Sequence, residues 1–328
     1  MGTGSQLLKL LMEEGPSAME FLKAYNIYMS ACYFKKVAHI FSALTIERVM
    51  KGKSRLHVVD YGIHCAFQWA GLVRWLAKRE GGPPSEMKIA AICCSQPSLF
   101  PVQWIEEQQY RLSKYASELG LPFVFEVVTT EWEKVCIENL NLDADEVLVV
   151  SDLFNFSTLK DEGIFFGSPN PRDTVLSNIK KMRPDVFIQS VLNCSHGSCF
   201  LSRFREMLFY YSALFDMLDA VVPRESEPRS VLEQDLLGCC ALNAIACEGV
   251  DVVQRPEKYR QWQSRNQRAG LRQLPLRPVV VEVLKDQIKK HHHKGFYLSE
   301  DGQWLLQGWK GRILIAHLTW VVEDGSSE

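Results

Sequence analysis

Five short apolar runs alternate with helix-like segments between residues 56 and 192, and this alternation limits the fold more than any other feature of the 328-residue chain. Each run suits one buried strand, and each intervening segment suits a helix that crosses back to the next strand. Such crossovers are right-handed and build a parallel sheet covered by helices on both faces. The runs are RLHVVDYG, MKIAAICC, LPFVFEVV, DEVLVVSDLF and PDVFIQSVLN. We therefore predict an α/β fold with a doubly wound core.

Two regions depart from this alternation. Helical spacing of apolar residues before the first strand, and again over about 224–250, predicts a helical cap. Near the C-terminus, alternation of period two with turns at Asp301-Gly302 and over 308–311 predicts a terminal β-hairpin. Five parallel strands plus such a hairpin are the strands of a Rossmann-like methyltransferase. We divide the chain into a cap (1–52, completed by the helical insertion 224–250) and a core (53–223 and 251–328).

Charge and cysteine usage exclude some classes of protein. The formal net charge of −2 excludes a globally basic nucleic-acid binder, so any contact with DNA must come from a local patch. Ten cysteines occur without a C-x-x-C pair, which favours thiols in a reducing compartment over a disulfide framework. No apolar run approaches the ~18 residues that a membrane span requires, and we predict no membrane association.

Four stretches occur in the order of the signature motifs of the plant GRAS family, and the wording of the last two resembles its SCARECROW-like branch. They are LHVVDYGIHCAFQW (VHIID motif), LVVSDLFNFSTLKDE with FLSRFREMLFYYSALFDML (PFYRE), IACEGVDVVQRPEKYRQWQSRNQRAGLRQLPL (RVER) and QWLLQGWKGRILIAHLTW (SAW). Only part of the family's first leucine-rich region precedes Leu56. The resemblance implies a nuclear transcription regulator with a Rossmann-like core and a helical cap. It also implies a homodimer or complexes with other transcription factors, and in some members direct DNA binding.

The turn after the first strand decides whether the chain holds a cofactor. S-adenosylmethionine enzymes carry D-x-G-x-G here, because side chains would obstruct the close approach of the backbone to the cofactor. This chain keeps Asp60 and Gly62 but has His64 in place of the second glycine, and 93–95 (CCS) offers no acid for the ribose. We therefore predict no cofactor. Two interpretations stay open: a retained pocket that holds some ligand or only packs against the cap, and a simple strand-end turn in which Asp60 and Gly62 cap the helix.

Other polar residues near the predicted strand ends complete a candidate pocket. Asn193 ends the fifth strand, where doubly wound folds place ligands, although a turn-forming role is the simpler interpretation. Arg205 and Glu206 begin an apolar helix that either simply covers the sheet or is fixed beneath the pocket by a partner of this pair. The candidate pocket residues are Asp60, Gly62, His64, Gln68, Asn193, Arg205 and Glu206.

A basic stretch provides the candidate DNA contacts. Its basic residues are Arg255, Lys258, Arg260, Arg265, Arg268, Arg272 and Arg277, against the single acid Glu257. On one continuous helix, Lys258, Arg265, Arg268 and Arg272 would share a stripe, with Tyr259, Trp262 and Ala269 facing elsewhere. Such a stripe can follow phosphates, and two copies in a dimer would form a groove. The alternative is a solvated charged face.

The remaining motifs carry little chemistry. Three consecutive histidines in KKHHHK cannot all face one metal, so we predict no metal site. Trp304, Trp309 and Trp320 fit hairpin packing better than base stacking. The predicted function is a nuclear, dimeric transcription regulator that binds duplex DNA through a basic groove and is not an enzyme. Two alternatives stay open, a scaffold that binds only other transcription factors and a methyltransferase whose loop tolerates His64.

Overall fold

One nine-stranded sheet forms the centre of the protein in the part of the chain that the computed structural model describes, which is residues 16–62, 67–93, 102–160, 170–196 and 199–323. The strands are β1 (Arg55–Tyr61), β2 (Glu86–Cys93), β3 (Phe123–Thr129), β4 (Val147–Leu153), β5 (Val186–Leu192), β6 (Leu271–Gln273), β7 (Phe296–Asp301), β8 (Trp304–Trp309) and β9 (Arg312–Val322). The order is β3-β2-β1-β4-β5-β9-β8-β7, and β6 pairs with β9.

The first five strands form the predicted doubly wound core. They are parallel, and Val58 of β1 lies opposite Ile89 of β2 on one side and Val149 of β4 on the other. The strand order changes direction between β1 and β4. Strands β1 and β4 are buried along nearly their whole length, which explains their continuous apolar sequences. The α/β, methyltransferase-type prediction is confirmed.

The C-terminal strands extend the sheet further than a single hairpin. Both predicted turns are present: Gly302 lies between β7 and β8, and Lys310 and Gly311 lie between β8 and β9 with positive φ. Because β7, the segment before the first turn, pairs with β8, the three strands β7, β8 and β9 form an antiparallel unit. Its last strand, β9, lies next to β5 and runs antiparallel to it.

Helices cover both faces of the sheet, and two of them begin at side-chain caps. Ser17 and Glu20 form a capping box at the first helix, and Asn170 caps the helix that starts at Pro171. The helices are α1 (Ala18–Ala31), α2 (Phe34–Val49), α3 (Phe67–Ala77), α4 (Val102–Glu118), α5 (Pro171–Met182), α6 (Phe200–Val221), α7 (Glu227–Val231), α8 (Cys239–Ala246), α9 (Tyr259–Arg268) and α10 (Pro278–His291). A π-helical segment, Leu232–Gly238, joins α7 to α8. Helix α10 was not predicted.

Two apolar clusters pack against opposite faces of the sheet. One contains Leu56 and Val58 of β1 together with side chains of α2, α3, α6 and α10. The other contains Val59 and Tyr61 together with side chains of α5 and α9. Helix α1 packs against α7 and the π-helical segment, whereas α2 packs on the sheet. The division into cap and core at residues 52, 223 and 250 stays a prediction.

Candidate functional site

Asp60 lies at the carboxyl edge of the sheet, at the crevice where the strand order changes direction and where doubly wound folds bind ligands. Its side chain is buried. Its Oδ2 atom accepts hydrogen bonds from Gln68 Nε2 at 3.0 Å and from Trp69 Nε1 at 3.1 Å. Both donors belong to α3, so Asp60 fastens this helix to the end of β1. Gln68, a candidate pocket residue, is thereby engaged with the protein itself.

A second buried carboxyl, Asp152 of β4, lies at the same edge. Its Oδ1 atom accepts hydrogen bonds from the backbone N–H groups of Asn155 at 2.8 Å and Phe156 at 3.1 Å. Burial raises the pKa of Asp152, although its hydrogen bonds from the backbone of Phe156 and Asn155 act in the opposite direction. Burial likewise raises the pKa of Asp60 to about 8, although its hydrogen bond from Trp69 acts in the opposite direction. At neutral pH, Asp60 is therefore a neutral acid enclosed by protein.

The protonation of Asp60 predicts a pH-dependent difference between the wild type and Asp60→Asn. The folded chain keeps the Asp60 proton up to about pH 8, whereas the unfolded chain releases it near pH 3.8. The stability that this proton provides is fully present below the unfolded-state pKa of 3.8. It is lost as the pH rises through the folded-state pKa of about 8. Between pH 5 and 7, the free energy of unfolding of Asp60→Asn should therefore rise relative to wild type by at most about 1.4 kcal/mol per pH unit. Urea titrations at several pH values measure this slope.

Asp143 provides the control for this measurement. Hydrogen bonds from the backbone of Asp145 and from Arg55 lower the pKa of its exposed carboxyl. Its contribution to stability is constant above its unfolded pKa and is lost only as the pH falls below that value, so Asp143→Asn should show no slope between pH 5 and 7. A flat difference for Asp60→Asn across the pH range would contradict the raised pKa.

Gly62 is held in a conformation that excludes other residues, and its neighbour explains why. Its φ of +124° lies where L-residues are strained. A Cβ atom at Gly62 would lie 2.5 Å from both Cγ and Nδ2 of Asn155. Asn155 is buried and follows β4. The space beside the glycine, where a cofactor would approach the backbone, therefore holds a side chain of the protein.

The described residues at this edge do not fit S-adenosylmethionine. Asn155 fills the approach to Gly62, and Asp60 is enclosed by α3. Asn193 acts as a turn residue: its N–H donates to Leu314 O at 2.8 Å, and its Nδ2 donates to Ile313 O at 3.2 Å, which ties the end of β5 to β9. His64, Cys94 and Ser95 lie outside the described residues.

The basic stretch contains a buried ion-pair hub around its single acid. Glu257 accepts hydrogen bonds from Arg265 Nε at 2.7 Å and Nη2 at 2.8 Å, and pairs with Arg172 Nη1 of α5 at 2.6 Å. Asp173 also accepts from Arg265, at 3.0 Å. Arg255 is buried nearby, and its carbonyl accepts from Arg172. Arg255 and Arg265 thus hold the protein together and do not face solvent.

The predicted basic stripe was wrong for two reasons. Helix α9 ends at Arg268, so Arg272 lies in β6, and Arg265 lies on the buried face of the helix with Trp262. Lys258 and Arg260 are exposed but paired, with Glu206 at 2.7 Å and Asp301 at 2.6 Å. Within the described residues, three members of the stretch are exposed and make no ion pair: Arg268, Arg272 and Arg277.

Helix α6 presents an apolar face to solvent, which the sequence analysis did not identify. Its opposite face is buried, as predicted, by residues such as Met207 and Tyr211. We define the α6 apolar face as Phe200, Leu201, Phe204, Leu208 and Phe209, whose exposure ranges from 37% to 60%. The rings of Phe200 and Phe204 stack, with centroids 5.9 Å apart. Contiguous exposed apolar side chains are typical of interaction surfaces.

The candidate pair on α6 separates in the structure. Arg205 is exposed, and Glu206 accepts the hydrogen bond from Lys258. The buried basic residue of this helix is Arg203, which the sequence analysis missed. Arg203 precedes Met207 by four residues and Tyr210 by seven. This helical spacing places Arg203 on the core side of the helix, and it was the sequence signal for the burial of Arg203.

Comparison with known proteins identifies the family. The model of the GRAS domain family matches residues 2–321. The chain belongs to the GRAS domain family.

Curated relatives of this GRAS domain include Scarecrow-like proteins of Arabidopsis thaliana. Scarecrow-like protein 14 is 41% identical over 322 residues, which cover 98% of this chain and 42% of that protein. Scarecrow-like protein 9 is 39% identical over 324 residues, which cover 98% of this chain and 44% of that protein. The chain therefore spans less than half the length of these relatives. A crystal structure of SCL7 in Oryza sativa shares the fold, with a TM-score of 0.83 at 24% identity over 93% of this chain and 84% of that one.

The GRAS motifs lie at the elements described above, and their aromatic residues serve packing. Trp304, Trp309 and Trp320 are each at most 1% exposed. In KKHHHK, the ring of His292 packs against Tyr33, and that of His293 packs against Trp309. The described part of the chain contains no cluster of three or more histidine, cysteine or acidic side chains arranged for a metal ion. No helix in that part is long and apolar enough to cross a bilayer.

Proposed function

We propose that this GRAS domain regulates transcription in the plant nucleus by binding proteins, both a second copy of itself and other transcription factors. The observation that carries the proposal is the exposed apolar face of α6. The Scarecrow-like relatives support the regulatory role. Catalysis has less support, because the crevice at the end of β1 is filled by Asn155 and its acid, Asp60, is enclosed.

The α6 apolar face suits self-association. An apolar helix face is complementary to a copy of itself, so two chains can pair through it about a two-fold axis. Aromatic and large aliphatic side chains dominate the centres of protein interfaces, and this face has three phenylalanines and two leucines. Leu208 is the most exposed member of the face at 60%. It is therefore the residue where a substitution disturbs the fold least.

Leu208→Glu should weaken dimerisation at least tenfold, because a carboxylate would lose its hydration in an apolar interface. Sedimentation and light scattering over a range of protein concentrations give the dissociation constant. Val279→Glu is the matched control, because Val279 is 62% exposed on α10. It should leave the constant unchanged. A dimer equally stable in both variants would remove α6 from the interface, and a monomeric wild type would refute self-association.

Direct contact with duplex DNA is a second candidate function, favoured by a specific group of exposed basic residues. Arg268 and Arg272 flank Gly270, and the side chain of Lys180 from α5 lies against that glycine. These three residues make no ion pair within the described residues, so their charges are available to phosphates. The groove proposed here uses Lys180, Arg268, Arg272 and Arg277 in place of the buried Arg255 and Arg265.

The combined substitutions Lys180→Gln, Arg268→Gln and Arg272→Gln should reduce the salt dependence of DNA affinity. Each phosphate contact contributes about 0.9 to the slope of log affinity against log salt, so the slope should fall by about 2–3. Binding of the purified domain to a labelled duplex at ~50 and ~200 mM salt measures the slope. The control replaces Arg48, Lys51 and Lys53, which are exposed before β1. Equal slopes in the two variants, or no binding at the lower salt, would exclude the groove.

A further inference from the structure

Strand β7 lies at one edge of the sheet and has backbone groups that β8 does not use. Within the described residues, β7 pairs with β8 alone. Lys310 N–H donates to Gly295 O at 2.8 Å, and alternate residues of an antiparallel strand bond the same neighbour. The two-residue turn after Asp301 gives the same alternation. The N–H and C=O groups of Leu298 and Glu300 therefore point away from the sheet.

The opposite edge of the sheet, at β3, is partly covered by a side chain. Gln109 of α4 donates its Nε2 hydrogen to Phe125 O at 2.8 Å. The backbone groups of Leu298 and Glu300 make no such bond to a side chain within the described residues. Strand β7 also contains no lysine, proline or bulge, which are features that often protect an edge. The β7 edge can therefore accept a further strand.

A cleft of about 350 Å³ lies beside this edge, between β7 and α10. Ile288 of α10 and Phe296 and Leu298 of β7 line the cleft, and all three pack in the same apolar cluster. Clefts of this size with apolar walls accept large apolar side chains. Successive side chains of a strand point to opposite faces of its sheet. A segment added to β7 would therefore direct every second side chain toward α10 and the cleft.

The rim of the cleft is basic. Lys285, Lys289 and Lys294 line it, and none of its described lining residues is acidic. Lys285 pairs with Glu300 at 3.3 Å, whereas Lys289 and Lys294 are exposed and make no ion pair within the described residues. A second copy docked edge to edge would bring its own lysines against these, and like charges oppose association. The charges therefore favour an acidic partner over a second copy.

We propose that the cleft between β7 and α10 binds an extended, acidic segment of a partner protein, which adds to β7 as a further strand. The backbone groups of Leu298 and Glu300 bond the segment, and the cleft takes one large apolar side chain from it. Lys289 and Lys294 bind the carboxylates that flank this side chain. The proposal rests on the protein-binding function proposed above, but it uses no residue of the α6 apolar face.

A labelled peptide of about six residues, the usual length of a strand, tests the charge preference. The probe is Asp-Glu-Leu-Val-Glu-Asp, and its fluorescence anisotropy is followed as the chain is added. The counterpart Lys-Lys-Leu-Val-Lys-Lys keeps the apolar pair and reverses the charge. The acidic probe should bind at least tenfold more tightly than the basic one. Equal affinities, or no binding of the acidic probe at ~1 mM chain, would overturn the proposal.

Methylation of single backbone nitrogens tests whether the peptide binds as a strand. Only alternate N–H groups of an added strand face β7, and a methylated nitrogen cannot donate. Two acidic probes, methylated on the leucine nitrogen or on the valine nitrogen, should therefore differ in affinity at least fivefold, with one close to the unmethylated probe. Equal affinities of the two methylated probes would refute strand addition.

The double variant Lys289→Glu/Lys294→Glu tests the location of the site. Both lysines are exposed and unpaired within the described residues, so the fold should be kept. The variant should bind the acidic probe at least tenfold more weakly than the wild type. The matched control Lys51→Glu/Lys53→Glu reverses two exposed charges before β1 and should change the affinity less than twofold. Equal affinities of the two variants would exclude the cleft.

The dimerisation constant of the same samples separates this proposal from the self-association proposed for α6. A wild type that dimerises but does not bind the acidic probe would refute only the cleft, whereas a monomeric wild type that binds the probe would refute only self-association. Loss of self-association in Lys289→Glu/Lys294→Glu, without loss of probe binding, would assign the β7 edge to a second copy and overturn the acidic partner.

Discussion

Glu257→Gln should lower the free energy of unfolding by about 3–5 kcal/mol, because it leaves two buried guanidinium groups without their shared carboxylate. Arg172 is 2% exposed and Arg265 is 8% exposed, and both bind Glu257 at 2.6–2.8 Å. A glutamine of the same shape directs one N–H₂ group at these donors. Asp173 also accepts a hydrogen bond from Arg265, from a side chain that is itself half exposed. Urea or guanidinium denaturation of wild type and variant measures the loss.

Glu300→Gln is the matched control for the hub. Glu300 pairs with Lys285 at 3.3 Å, and both side chains are about half exposed. Exposed pairs contribute between 0 and about 1 kcal/mol, so this variant should be close to wild type. Similar losses in the two variants would mean that the Glu257 hub contributes no more to stability than a surface pair does.

The fold was largely predictable because its signals are local. The apolar runs form single strands and the turns at Gly302 and Gly311 join neighbouring strands, and their positions in the structure match the sequence pattern. Helix α10 was missed although Val280, Leu284 and Ile288 follow Pro278 at helical spacing. Only the histidine-rich end of that segment was weighed, as a metal motif that was rejected, and its histidines pack against aromatic rings.

The candidate site was less predictable because its contacts join residues that are distant along the chain. The basic stretch contains one acid in its own sequence. In the structure, Arg172 and Asp173 of α5, more than 80 residues away along the chain, contact the same stretch. These contacts bury Arg265, and the local sequence does not reveal them. The α6 apolar face was equally hidden, because a helix apolar on most sides does not reveal which side the sheet covers.

Gly62→Ala should destabilise the fold by about 2–4 kcal/mol, through backbone strain and through collision with Asn155. The φ of Gly62 is +124°, and the new Cβ would lie 2.5 Å from the Asn155 amide. Gly82→Ala separates the two contributions, since Gly82 has a φ of +90° and no described heavy atom lies within 4 Å of the position that its Cβ would take. It should cost only about 1–2 kcal/mol. Denaturation midpoints of both variants measure the difference.

The double variant Gly62→Ala/Asn155→Ala shows what the glycine is for. Asn155→Ala removes the three nearest atoms that the new Cβ would meet, so Gly62→Ala should then cost less than it does in the wild type. The expected coupling energy is about 1–3 kcal/mol in favour of the double variant. If Gly62 served only to let a ligand approach, the stability losses of the two single substitutions would simply add, because folding does not require the ligand. A coupling near zero would therefore reopen the methyltransferase alternative, whereas the expected coupling makes Gly62 a packing element of the fold.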